Sequence, residues 1–67
     1  MSIAKVIEIT SASPKSFDDA MRQGIARATK TVEDVRAAWV KDQQVIVEGG
    51  KIKEYRVALK VTFILHE

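Results

Sequence analysis

The hydrophobic pattern of the chain changes period twice, and each period predicts a different element. Residues Ile3 to Thr10 are β-branched and roughly alternating, and the turn-rich segment Ser11–Pro14 follows them, which predicts a first strand. Apolar residues then recur at three- and four-residue spacing between Phe17 and Val32, as on a helix that covers a sheet. Ser16, with Asp19 three positions later, resembles a capping box and predicts where that helix begins.

From Val35 to Val47 the period is two, and it is two again from Ile52 to Leu65. The pair Gly49-Gly50 between these runs predicts a tight hairpin turn, with Glu48 facing Lys51. The elements therefore predict an α+β fold of βαββ order, in which a three-stranded antiparallel sheet partly wraps one α-helix.

An unbroken ladder running back from this turn predicts which residues share a face of the sheet. One face carries the apolar side chains of the last strand and is expected to receive the helix. The other face is mixed, and because the single helix cannot cover it, a second subunit or a ligand must. The predicted pairs are Arg36 with Phe63, Ala38 with Val61, Trp39 with Lys60, Val40 with Leu59, Asp42 with Val57, Gln43 with Arg56, Gln44 with Tyr55 and Val45 with Glu54.

Length and composition narrow the class of protein. A chain of 67 residues without cysteine has one core of marginal stability and no disulfide to reinforce it, so we expect a single domain over residues 1–67 that works as a homo-oligomer. The net charge of +2 is spread over both signs, which makes a nucleic-acid partner unlikely. No signal peptide or run long enough to span a bilayer is visible, so we expect a cytoplasmic protein without a membrane partner.

Catalytic chemistry is not indicated by the sequence. His66 is the sole histidine and has no acid or nucleophile partner that the sequence reveals, and Gly49-Gly50 lacks the spacing of a phosphate-binding loop. We therefore expect a protein that is not an enzyme.

Four stretches, in order and with matching spacing, resemble those of the dodecins, which are small flavin-binding proteins that assemble as hollow homododecamers. They are Lys5–Ile9, Thr10–Pro14, Ala26–Thr31 and Glu54–Phe63, and together they cover nearly the whole chain. The resemblance implies the dodecin fold, a homododecameric assembly, and a flavin (riboflavin, FMN or FAD) as the cofactor to test.

The resemblance also points to individual site residues. In flavin-binding dodecins a tryptophan early in the second strand stacks on the flavin ring, and a glutamine after the third-strand aromatic residue binds the ring edge. The matching positions here are Ala37 and Arg56, and a tryptophan follows two residues later as Trp39. The ligand-binding candidates are therefore Ala37, Trp39, Gln43 and Arg56, and flavin affinity is expected to be weak or absent relative to dodecins that keep both residues.

Two interpretations of these residues remain open. Trp39 either fills a subunit interface, which tryptophan frequency in interfaces favours, or stacks on a planar or anionic small ligand. Asp42, Glu48 and Glu54 are candidate ligands for calcium or magnesium where subunits meet at a symmetry axis. The function is accordingly either a non-enzymatic shell that binds or stores a small ligand, or a flavin-free structural or divalent-cation-binding shell.

Overall fold

The computed structural model describes residues 3–66, so the expected domain limits at residues 1 and 67 lie outside the described residues. The elements are β1 (Ile3–Ser13), α1 (Phe17–Thr31), β2 (Val35–Glu48) and β3 (Lys51–Leu65). The strands form one antiparallel sheet in the order β1-β3-β2. The predicted βαββ fold is confirmed, although β1 continues three residues past its predicted end and pairs there with the middle of β3.

The helix begins where its capping residues predict. The Ser16 hydroxyl accepts a hydrogen bond from the backbone N–H of Asp19 at 2.9 Å. The Asp19 carboxylate in turn accepts a hydrogen bond of 2.5 Å from the Ser13 hydroxyl, which lowers the pKa of Asp19. Ser13 is buried at the end of β1, so this one contact joins the strand to the first turn of the helix.

Small residues let the helix approach the sheet closely. Ala20 and Ala28 are buried against the Val57, Leu59 and Val61 side chains of β3. A Cβ atom added at Gly24 would lie 3.0 Å from Leu59 Cδ1 and 3.1 Å from Ser11 Cβ. The helix therefore fixes which face of β1 and β3 is the inner face, and we call the opposite side of the sheet the outer face.

The hairpin register is confirmed at the turn and from Ala38 to Val40, and it is wrong from Asp42 to Ile46 and at Arg36. Glu48 pairs with Lys51 across a turn in which Gly49 and Gly50 both have positive φ, and the predicted pairs of Ala38, Trp39 and Val40 are also found. β-Bulges interrupt the ladder at Arg36 and Lys41 on β2 and at Lys53 on β3. The pairs that replace the predicted ones are Val35 with Phe63, Asp42 with Ala58, Gln43 with Val57, Gln44 with Arg56 and Val45 with Tyr55.

The bulges change which side chains share a face. From Asp42 to the turn, every β2 side chain lies on the opposite face from the one that an unbroken ladder predicts, because side chains alternate with a period of two. Gln43 and Val45 belong to the inner face, whereas Gln44 belongs to the outer face beside Arg56. The bulged Lys41 extends over the outer face, where its Nζ lies 3.2 Å from Glu8 Oε1 on β1.

The end of the hairpin projects beyond the rest of the sheet. The last β1 pair is Ser13 with Tyr55, so β2 and β3 continue alone to the turn as a two-stranded ribbon. The helix, at 1.5 Å per residue, is about 22 Å long, whereas the molecule is 51 Å long. Three inner-face side chains near this end are therefore uncovered, and we call them the apolar strip: Val45 (37% exposed), Val47 (60%) and Ile52 (52%).

Within the described chain, α1 is too short and too polar to cross a bilayer.

Candidate ligand-binding face

The Trp39 indole lies on the outer face, in register with Lys60 of β3. It is 49% exposed. The ion pair between Lys41 and Glu8 lies on the same face, since Glu8 is the β1 partner of Lys60. Ala37, two residues before Trp39 on the same strand, presents only a methyl group. The indole is therefore half exposed, with charged groups on the same face and only a methyl group from Ala37.

Further along the outer face is a polar hollow of about 130 Å³. The Arg56 guanidinium at its border donates from Nε and Nη2 to the Glu54 carboxylate, at 3.1 and 2.7 Å. The Asp42 carboxylate accepts a hydrogen bond of 3.0 Å from the backbone N–H of Gln43. The lining residues are Thr10, Asp42, Gln43, Gln44, Arg56 and Ala58.

Three of the four predicted ligand-binding residues share this face. Ala37 and Trp39 lie at one end, and Arg56 lies at the hollow, four β3 residues or about 13 Å from the level of Trp39. The predicted pairing of Gln43 with Arg56 is wrong, because the bulge at Lys41 places the Gln43 side chain opposite the buried Val57. Gln43 still lines the hollow, although the ladder no longer pairs it with Arg56.

Gln44 is the residue that sequence reasoning missed. It pairs with Arg56, is exposed, and lines the hollow. A partial signal exists in the sequence: the inner-face residues Ala38 and Val40 are even-numbered, whereas the inner-face residues Val45 and Val47 are odd-numbered. Such a change of phase within one strand indicates a bulge between the two sets.

The three predicted cation ligands do not converge within one chain. Glu48 forms an ion pair of 2.9 Å with Lys53, Glu54 holds Arg56, and Asp42 borders the hollow. Across residues 3–66, no three histidine, aspartate or glutamate side chains are close enough to hold a metal ion together. A cation site built from several subunits stays a prediction.

His66 has an acidic partner that the sequence did not reveal. Its Nε2 lies 2.7 Å from Asp34 Oδ2, and Arg36 donates to both oxygens of the same carboxylate at 2.5 and 3.0 Å. The hydrogen bond from Arg36, followed by that with His66, lowers the pKa of Asp34 from 3.8 to about 2. Asp34 has a φ of 56° in the loop before β2, so this cluster ties the end of β3 to a strained turn.

Comparison with known proteins gives one consistent family. The Dodecin family profile matches residues 3–66. A calcium dodecin from Mycobacterium tuberculosis is 38% identical over 63 residues, covering 94% of this chain and 89% of that protein.

Solved structures agree with this match. The dodecin from Streptomyces davaonensis superposes with a TM-score of 0.94 at 32% identity, covering 98% of this chain and 97% of that one. The crystal structure of the calcium-chelating dodecin from M. tuberculosis, described as having a novel calcium-binding site, gives a TM-score of 0.85 at 35% identity over 97% and 93% of the two chains. The chain therefore belongs to the dodecin family of small ligand-binding proteins.

Proposed function

We propose that this protein is a non-enzymatic dodecin that forms a hollow homododecamer and sequesters a small planar ligand of flavin type on its outer face. The observation that carries the proposal is the half-exposed Trp39 indole on the same face as the polar hollow at Arg56. An aromatic platform with a few polar groups nearby is the arrangement that binds planar heterocycles in proteins.

Assembly is supported by what one chain leaves uncovered. The apolar strip of Val45, Val47 and Ile52 continues the inner face past the end of the helix. A two-stranded ribbon is marginally stable in water, and a chain of this size has little stability to spare. Contacts between copies would cover the strip, and membership of the family supports twelve subunits.

The charged groups around Trp39 support a ligand at that position rather than a dry interface. Lys41, Glu8 and Lys60 all lie on the same face as the indole. The core of a protein interface is depleted of charged residues, whereas a ligand can leave such groups partly hydrated. Tryptophan frequency in interfaces alone favours an interface role for Trp39, whereas these charged neighbours favour a ligand-binding role.

Affinity for flavin is expected to be low for a dodecin. Ala37 offers no stacking surface, and an aromatic pair contributes about 0.5–1.5 kcal/mol beyond its burial. Arg56 has only donors, whereas an amide both donates and accepts. These two differences together correspond to a loss of about one to a few orders of magnitude.

The test is to titrate the protein, up to millimolar chain concentration, into about 1 µM riboflavin and to follow quenching of the flavin fluorescence. Because the protein is the titrant, weak binding is measurable despite the low solubility of the flavin. Saturable quenching with a dissociation constant in the micromolar to millimolar range supports the proposal. A linear response over the whole range refutes flavin-type binding, and a monomeric mass in sedimentation at micromolar concentration refutes the shell.

A second candidate function is binding of a divalent cation. The M. tuberculosis relative named calcium dodecin, 38% identical, favours it, and Asp42 and Glu54 lie on the outer face of this chain. Calorimetric titration with calcium chloride tests it, with Asp42→Asn as the variant and Asp18→Asn, on the exposed side of the helix, as the matched control. Calcium binding that only Asp42→Asn weakens, in the absence of flavin quenching, supports this candidate over the first.

A further inference from the structure

The bulge at Lys41 gives the outer face an amide that an unbroken ladder would have turned to the other side. Gln44 and its neighbour Gln43 have the same side chain and lie on opposite faces. Both residues are exposed and line the polar hollow, but Gln44 lies directly across from Arg56, whereas Gln43 is paired with the buried Val57. Bulges beside binding sites commonly serve to redirect one side chain in this way.

The charges of the hollow indicate what kind of chemical group it accepts. Glu54 holds the Arg56 guanidinium through two hydrogen bonds, so the positive charge of Arg56 is already compensated. Asp42 adds a carboxylate at the same border. With two acidic groups and one basic group, the hollow repels phosphate and carboxylate. The hollow suits the uncharged edge of a heterocyclic ring that carries both N–H donors and carbonyl acceptors.

Gln44, directly across from Arg56, can both donate to and accept from such an edge. Its side-chain carbonyl accepts and its NH₂ donates, whereas the guanidinium of Arg56 only donates and the carboxylate of Asp42 only accepts. Trp39 lies about 13 Å away along the same face, a separation that a planar heterocycle spans once the reach of the two side chains is included.

We propose that Gln44 is the specificity-determining residue of the outer face, and that it selects uncharged planar heterocycles with an imide-type edge by exchanging hydrogen bonds with that edge. The inference rests on the proposed ligand-binding function and deepens it. Arg56 acts as an auxiliary donor that Glu54 keeps in place, and Trp39 covers the ring.

The experiment compares the unsubstituted protein with Gln44→Ala and with Gln43→Ala, the neighbouring amide on the opposite face of β2. Each protein is titrated into riboflavin and, separately, into N3-methylriboflavin, which lacks the imide N–H. The oligomeric mass and the circular dichroism spectrum of each variant are measured first. Gln44→Met, which keeps the length of the side chain without its polar atoms, replaces Gln44→Ala if the alanine variant alters the assembly.

The expected result is that Gln44→Ala weakens riboflavin binding about tenfold, which is the effect of losing one to two neutral hydrogen bonds. Gln43→Ala should weaken binding less than Gln44→Ala does, because the ladder pairs Gln43 with an inner-face residue. For N3-methylriboflavin the difference between the unsubstituted protein and Gln44→Ala should shrink severalfold, since one hydrogen bond is already lost.

Two results overturn the inference, and they are distinguishable. If the unsubstituted protein binds riboflavin and Gln44→Ala binds it equally well, the role of Gln44 is refuted while the proposed function stands. If the unsubstituted protein quenches neither flavin, the proposed function fails and the role of Gln44 fails with it. Loss of riboflavin binding in Gln43→Ala alone would also refute the role of Gln44. It would show that Gln43 contacts the ligand, as an unbroken ladder would place it.

Discussion

Replacing Trp39 by alanine tests what covers the free half of the indole in the working protein. The residue is 49% exposed in one chain. For a tryptophan area of roughly 250 Å², about 120 Å² is therefore left to a ligand or a second subunit. At about 25 cal/mol per Å² the upper limit of the lost free energy is about 3 kcal/mol, or two orders of magnitude in a dissociation constant.

The lost free energy should appear in the ligand affinity if a ligand covers the indole, and in subunit dissociation if a second subunit covers it. If a ligand covers the indole, as we propose, Trp39→Ala should leave the assembly intact and weaken riboflavin binding by up to about a hundredfold. If another subunit covers it, the oligomer should dissociate at about a hundredfold higher concentration while any residual binding is unaffected.

The assay follows both quantities on the same samples. Sedimentation over a dilution series gives the dissociation of the subunits, and flavin quenching gives the ligand affinity. Lys60→Ala is the control, because it removes the residue directly opposite Trp39 and leaves the indole in place. A large shift in subunit dissociation with unchanged flavin quenching would refute the reasoning and return Trp39 to the role of an interface residue.

The structure supports three further predictions. Arg36 and His66 lower the pKa of Asp34 from 3.8 to about 2, so the stabilising contribution of the Asp34 carboxylate is present above pH 3.8 and is lost as the pH falls toward 2. In Asp34→Asn the thermal unfolding midpoint should therefore depend less on pH over that interval. Gly24→Ala should destabilise the fold by up to about 2 kcal/mol in urea denaturation, because an added Cβ 3.0 Å from Leu59 Cδ1 costs about 1–3 kcal/mol and alanine returns about 1 kcal/mol of helix propensity; an unchanged midpoint would show that the packing adjusts to the methyl group. Ser16→Ala should cost about 1 kcal/mol by the same method, whereas a neutral result would mean that the helix does not depend on its cap.

Local signals made the elements of this fold predictable. The cap at Ser16 and the Gly49-Gly50 turn each depend on a few neighbouring residues, and both are found where the pattern places them. The inner face of β3 was equally clear, because Val57, Leu59 and Val61 alternate without interruption and are all buried.

The candidate site was less predictable because its geometry depends on contacts distant in sequence. The bulge at Lys41 is associated with an ion pair to Glu8, 33 residues away, which no local pattern contains. The polar run Asp42-Gln43-Gln44 also hides the change of phase, since a polar residue occurs at both odd and even positions. The pairing of His66 with Asp34 likewise spans 32 residues and arises only when β3 ends beside the loop before β2.

The two bulges at Lys41 and Lys53 leave this hairpin a nearby alternative. If both bulges were removed at once, the segment Asp42–Ile46 would slide by one residue relative to β3, and the ladder would be continuous from the turn to the Trp39–Lys60 pair. In a single chain little opposes the slip, because the apolar strip near the turn is exposed whichever way it faces. Burial of that strip by neighbouring copies would stabilise only one of the two registers. Subunit contacts would then select the hairpin register, so that only chains with the bulged alignment are stably incorporated into the oligomer.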